Sequence, residues 1–141
     1  MNYFFDTSAL IKNYIEEKGS QKVEEILKSA DSVFVSSVTV IEESSTLRRL
    51  LNQKMLTLKE YELISDEIKF DLKYFHTVPL DDEIINLSID IIIKFQLKTL
   101  DSIQLACAIA LQNEIANFVC CDLKLNNAAA KAGLKVINPA D

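Results

Sequence analysis

Tyr3-Phe4-Phe5-Asp6-Thr7-Ser8-Ala9-Leu10 is the stretch that decides how this chain is read. An apolar run too short for a helix ends in an acid. Two small hydroxyl residues follow, and then a helical pattern begins with Leu10, Ile11, Tyr14 and Ile15 on one side. The same design returns near the other end as Phe118-Val119-Cys120-Cys121-Asp122-Leu123. A buried strand, an acid at its carboxyl end and a helix after it form the repeating unit of an α/β protein.

Working outward, the pattern predicts strands over 2–5, 33–35, 77–80, 118–121 and 135–137. Helices are expected over 7–16, 20–28, from Ser36 or Ser37 to Leu51, over 58–74, from Asp81 or Asp82 to Ile93, after Asp101 to about Asn113, and over 123–131. Gly19 reads as the break after the first helix and Gly133 as a helix C-terminal glycine. Pro79 puts the third strand at a sheet edge. Short apolar strands alternating with helices imply a mostly parallel sheet covered on both faces.

With 141 residues, two Gly and two Pro, the chain reads as one domain with little room for linkers. No apolar stretch approaches the ~20 residues that span a bilayer, and the N-terminus lacks the pattern of a signal peptide. A cytoplasmic protein without membrane contact is expected. Cys107, Cys120 and Cys121 are odd in number and lack the CxxC spacing, so buried thiols are expected rather than disulfides or a thiolate metal site. The net charge of −6 argues against broad electrostatic binding of nucleic acid.

Four acids occupy one kind of place. Asp6 and Asp122 end strands, Glu42 lies in the first turns of a helix after a strand, and Asp101 opens the helix before the fourth strand. In open parallel sheets, ligands bind outside the carboxyl ends of the strands. Two carboxylates ~4 Å apart repel by about 4 kcal/mol at an effective dielectric of ~20. Convergence of all four calls for raised pKa values or for a hard divalent cation, Mg²⁺ or Mn²⁺. Asp6, Asp101 and Asp122 alone also read as N-caps, and Asp101 with Gln104, like Thr39 with Glu42, matches a capping box. With His76 as the single histidine, histidine-based ribonuclease chemistry is improbable.

The motifs in order resemble the PIN-domain family, and within it the VapC toxins of toxin–antitoxin pairs. The opening Asp6-Thr7-Ser8 after its strand is similar to the first family motif. Ser36-Ser37-Val38-Thr39-Val40-Ile41-Glu42 resembles the second, Leu100-Asp101-Ser102-Ile103-Gln104-Leu105-Ala106 the third, and Phe118 to Leu125 the fourth. The resemblance implies a three-layer α/β/α fold around a central, mostly parallel sheet. It also implies an Mg²⁺- or Mn²⁺-dependent endoribonuclease. Asp6, Glu42 and Asp101 would hold the ion directly or through water, and Asp122 would complete the cluster and orient the attacking water.

Around these four, Thr7 and Ser8 are expected to hydrogen-bond a ligand carboxylate or to cap the helix. Asn126, one turn after Asp122, either reaches the site or sits on a solvated face. Arg49, seven residues after Glu42, and Lys98, before Leu100-Asp101, are candidates for contact with RNA phosphate. Glu43 points ~100° away from Glu42 and is the neighbour most easily mistaken for the ligand. The resemblance further implies an RNA substrate, a small VapB-like antitoxin that covers the site, and a homodimer. The helix over 58–74 offers apolar surface for such contacts or packs into the core. Two other readings stand beside this one: a PIN-like module that binds RNA or protein without cutting, and a phosphotransfer enzyme. The latter would be a haloacid-dehalogenase-like phosphatase or a receiver domain; the phosphatases want Asp-x-Asp, whereas Asp6 is followed by Thr7 and Ser8.

Overall fold

The computed structural model describes all 141 residues. Five strands form one sheet: β1 (Asn2–Phe5), β2 (Ser32–Ser36), β3 (His76–Val78), β4 (Asn117–Val119) and β5 (Val136–Ile137), in the order β3-β2-β1-β4-β5. Every pairing is parallel, with Phe4 opposite Phe34 on one side and Phe118 on the other. Seven helices connect and cover the strands: α1 (Thr7–Leu10), α2 (Ser20–Ser29), α3 (Ser37–Asn52), α4 (Leu58–Leu72), α5 (Asp82–Phe95), α6 (Thr99–Ala110) and α7 (Leu123–Lys131).

Strand alternation builds two cores. Phe4 and Phe118 face one side, where they pack with Ile84, Ile91, Leu105, Ala106 and Leu125 from α5, α6 and α7. Tyr3, Phe5, Val33, Val35 and Val119 face the other side and meet Leu10, Val23 and Ile26 of α1 and α2. The result is the expected α/β/α sandwich. Phe4, Phe5 and Phe118 are fully buried, and burial of each contributes roughly 2–3 kcal/mol.

β3, the strand ahead of Pro79, lies at the sheet edge as expected. Gly133 takes φ +95 just after the α7 C-cap, the αL position a helix-ending glycine fills. The first helix differs from its periodicity. α1 ends at Leu10 and continues as a tight 3₁₀ turn over Ile11–Asn13. The tightening carries Tyr14 to a hydrogen bond with Asp71 of α4, donor to acceptor 2.7 Å. Gly19 therefore opens α2 rather than ending a long first helix, standing at its N-cap with φ +98. No helix is long and apolar enough to cross a membrane.

The order of strands places a site. The chain runs outward from β1 to β2 and β3, then returns to the other side of β1 for β4 and β5. The carboxyl ends of β1 and β4 thus lie side by side while their following helices diverge, the arrangement that opens a crevice in such sheets.

Candidate active site

A cleft of about 720 Å³ opens there, and Asp6, Glu42, Asp101 and Asp122 all line it. Asp6 and Asp122 arrive by the same local device. Each is the N-cap of the helix after its strand, accepting a backbone N–H three residues on, from Ala9 at 3.3 Å and from Leu125 at 2.8 Å. For these two acids capping and lining the cleft are compatible, because capping engages one carboxylate oxygen.

Glu42 and Asp101 reach the cleft from within helices. Ser36 caps α3 through its hydroxyl, accepting from the Val38 N–H at 3.2 Å, so Thr39 and Glu42 form no capping box. Lys98 stands at the α6 N-cap without a side-chain bond, so Asp101 is the third helical residue and makes no capping box with Gln104. Those two pairings have another purpose. Gln104 is buried and its amide N–H groups approach Thr7 Oγ1 (3.1 Å), Thr39 Oγ1 (2.9 Å) and Glu42 Oε1 (3.1 Å). The Thr7 hydroxyl donates to Glu42 Oε1 at 2.9 Å and also meets Thr39 Oγ1 at 3.0 Å. One oxygen of Glu42 is thereby fixed by α1 and α6 together. Gln104 and Thr39 are site residues that the sequence shows only as capping candidates; the signal for them is their spacing, three residues from Asp101 and from Glu42.

Ser8 fastens Asp6 in the same manner. Its hydroxyl donates to Asp6 Oδ1 and accepts the Cys121 N–H at 3.1 Å, tying the end of β1 to the segment after β4. Asn126 neither reaches the cleft nor faces solvent. It is buried and donates to the Cys120 carbonyl at 2.9 Å, which sets the turn that delivers Asp122. Arg49 is exposed and lines the cleft, whereas Lys98 is exposed outside it, close enough to Asp101 to lower the pKa of its carboxyl. Lys12 also lines the cleft, paired with Glu17 at 2.9 Å. Glu43 turns away from the cleft into the protein, 1% exposed, with both oxygens lacking a hydrogen bond.

The electrostatics follow from burial. The Asp6 carboxyl is pushed up to about 7, mainly by burial; its bonds from Ser8, Ala9 and Cys120 oppose the rise and nearby Glu42 adds to it. Asp101 is raised by burial, then by Asp122 and Glu42, with Lys98 and Lys124 pulling the other way. Glu43 reaches about 8 through burial and the charges of Asp71 and Glu42. All three cysteines are free thiols; Cys107 and Cys120 are buried, while Cys121 is partly exposed in the cleft wall, its pKa raised to about 11 by burial.

The donors in the cleft are carboxylate and hydroxyl oxygens, with the Cys121 thiol held protonated and no histidine. Such a set suits a hard divalent ion. Glu42 and Asp122 are each fastened through one oxygen and leave the other without a hydrogen bond, and the Asp101 carboxylate makes none. The free oxygens are distributed over the cleft walls, and no three acids stand as a closed ligand cluster.

Comparison with known proteins places this geometry. The family model described as PIN domain matches residues 3–131. A search of curated proteins finds none that matches. Among solved structures, the chain is similar to FitAcB from Neisseria gonorrhoeae at a TM-score of 0.75 and 18% identity, covering 97% of each chain. It is similar to VapBC2 from Rickettsia felis, bound to a DNA fragment from their promoter, at 0.68 and 14%, covering 98% of each. It also resembles VapC20 of Mycobacterium tuberculosis, a sarcin–ricin loop cleaving toxin, at 0.66 and 12%, covering 94% of this chain and 95% of that one.

Proposed function

The chain belongs to the PIN domain family, and from that premise we propose that it is a metal-dependent endoribonuclease, the toxin of a type II toxin–antitoxin pair. One observation carries the reading: Asp6, Glu42, Asp101 and Asp122 share one cleft, and Glu42 and Asp122 are pinned there through a single oxygen each, with the other free. Repulsion among them favours an arriving cation, and a bound Mg²⁺ or Mn²⁺ would supply Lewis-acid activation of water and offset charge at a phosphate.

In this reading Asp6, Glu42 and Asp101 hold the ion, directly or through water. Asp122, exposed at the rim, orients the attacking water. Thr7 and Gln104 position Glu42, Ser8 positions Asp6, and Asn126 sets the turn before Asp122. Arg49 on the cleft wall and Lys98 beside Asp101 contact the phosphates of RNA. A small VapB-like antitoxin closes the cleft, and the working unit is a homodimer. The similar structure from Rickettsia felis is VapBC2 on its promoter DNA, and pairing with an antitoxin of the VapB kind is extended from it to this chain.

Purified chain with Mn²⁺ is expected to cut structured RNA, and Asp6→Asn or Asp101→Asn to lower the rate at least ~100-fold, since each removes a charge from the cluster. Absence of cleavage by the wild-type chain over a broad RNA set would instead favour a PIN-like module that binds without cutting.

A further inference from the structure

A second concavity, about 270 Å³, lies between the C-terminal end of α5 and the outer face of α7. Lys94, Gln96, Lys124, Asn127 and Lys131 line it, and no carboxylate does. The chain as a whole carries 21 acids against 15 Lys and Arg, so this groove departs from its surroundings. None of its three ammonium groups is ion-paired.

The lysines are ordered rather than scattered. Lys124, Asn127 and Lys131 recur at spacings of three and four, so they share one face of α7 along ~10 Å of its axis. Lys124 Nζ donates to the Gln96 carbonyl at 3.0 Å, which anchors it and leaves two N–H groups unused. Gln96 itself has left-handed backbone, φ 55, as the C-cap of α5. Lys94 Nζ stands 5.3 Å from the Phe95 ring centroid. Lys94 and Lys131 also complement the dipoles at two helix C-termini, which accounts for one charge per helix. Lys124 sits in the first turn of α7, at the positive end of that dipole, where a cation is disfavoured.

The groove also adjoins the cleft. Asp122 on the cleft rim is the N-cap of α7, and Lys124 is near enough to lower the pKa of the Asp101 carboxyl. We propose that the α5–α7 groove is an anion subsite that holds RNA backbone phosphates flanking the one in the cleft, with Lys94, Lys124 and Lys131 as its cations. The assignment of RNA rests on the nuclease reading of the cleft, and the groove gives an acidic chain a local surface for a polyanion.

The test is binding of a fluorescent single-stranded 12-mer RNA in EDTA, where metal-dependent cutting is suppressed, titrated over a range of salt. Lys94→Ala/Lys124→Ala/Lys131→Ala is expected to weaken binding about 10-fold near ~50 mM salt and to reduce the slope of log K against log salt by about 2. The triple arginine variant is expected to restore both. Lys22→Ala/Lys59→Ala/Lys73→Ala removes the same net charge from exposed lysines elsewhere and is expected to leave the slope unchanged. Wild-type slope in the groove variant, or an equal fall in the remote variant, overturns the subsite. So does binding of an oligoglutamate peptide without binding of RNA, which assigns the groove to an acidic protein segment. Cleavage with Mn²⁺ is scored separately: an inactive wild type defeats the nuclease reading, while an active one with an unaltered groove variant defeats the subsite alone.

Discussion

Glu43 shows how much one rotation about a helix decides. It differs from Glu42 by a single position, yet Glu42 faces the cleft and Glu43 is sealed inside with no partner for either oxygen. Its folded pKa, about 8, lies above its ordinary 4.5. Both states are protonated below about pH 4.5, so nothing is lost there. As pH climbs toward 8 the unfolded chain ionises and the folded one does not, so stability falls. Glu43→Leu is expected to be more stable than the wild type by roughly 2–4 kcal/mol at pH 8.5, with the gap closing near pH 4.5, measured by urea unfolding in EDTA. Gln104 offers the converse case. Gln104→Leu removes both amide bonds that steady Thr7 and Glu42, and is expected to lower kcat with Mn²⁺ about 10-fold with little change in KM. Asp6 and Asp122 are legible from their places after strands, because backbone direction fixes where a strand ends, whereas Glu42 and Asp101 lie within helices and are legible through the family resemblance. Gln104 and Thr39 are not, since a capping box and a tertiary hydrogen bond share the same short spacing. The sequence likewise leaves Asn126 between cleft and solvent, whereas it is buried against the Cys120 carbonyl, because periodicity gives a face and not its neighbour.

At the level of elements, periodicity located every strand and helix, and the differences lie where tertiary contact overrides it. The first helix would continue past Leu10 on its apolar pattern, but the Tyr14–Asp71 bond and the return to α2 require a tighter turn. Gly19 makes that return possible. A Cβ there would lie 2.9 Å from the Pro139 carbonyl oxygen, on backbone with φ +98. Gly19→Ala is expected to lower stability by about 1–3 kcal/mol and to loosen the C-terminal segment, read as reduced amide protection near 138–141. α6 starts three residues ahead of its expected start, since Lys98 offers no side-chain cap and Asp101 is the stronger signal in the sequence.

The whole molecule stores unfavourable charge at one end of its sheet. Burial, with the neighbouring acids, raises the Asp6 and Asp101 carboxyls, so ionising Asp6 in the fold costs stability that is lost as pH climbs from about 3.8 to about 7 and then levels off. Mn²⁺ at millimolar excess is expected to raise the wild-type Tm by several degrees, and EDTA to reverse it. In Asp6→Asn the metal-free Tm should already be higher and the response to Mn²⁺ much smaller. An unchanged wild-type Tm on adding Mn²⁺ would argue against a cation in the cleft.

The order of strands has a consequence for how such a chain is made. β1, the central strand, comes far ahead of its neighbour β4 in the chain, and β4 is not available until residue 119 has emerged. Asp122 comes later still. The cleft therefore closes late in synthesis: Asp6, Glu42 and Asp101 wait without their fourth acid until the segment through Asp122 has emerged.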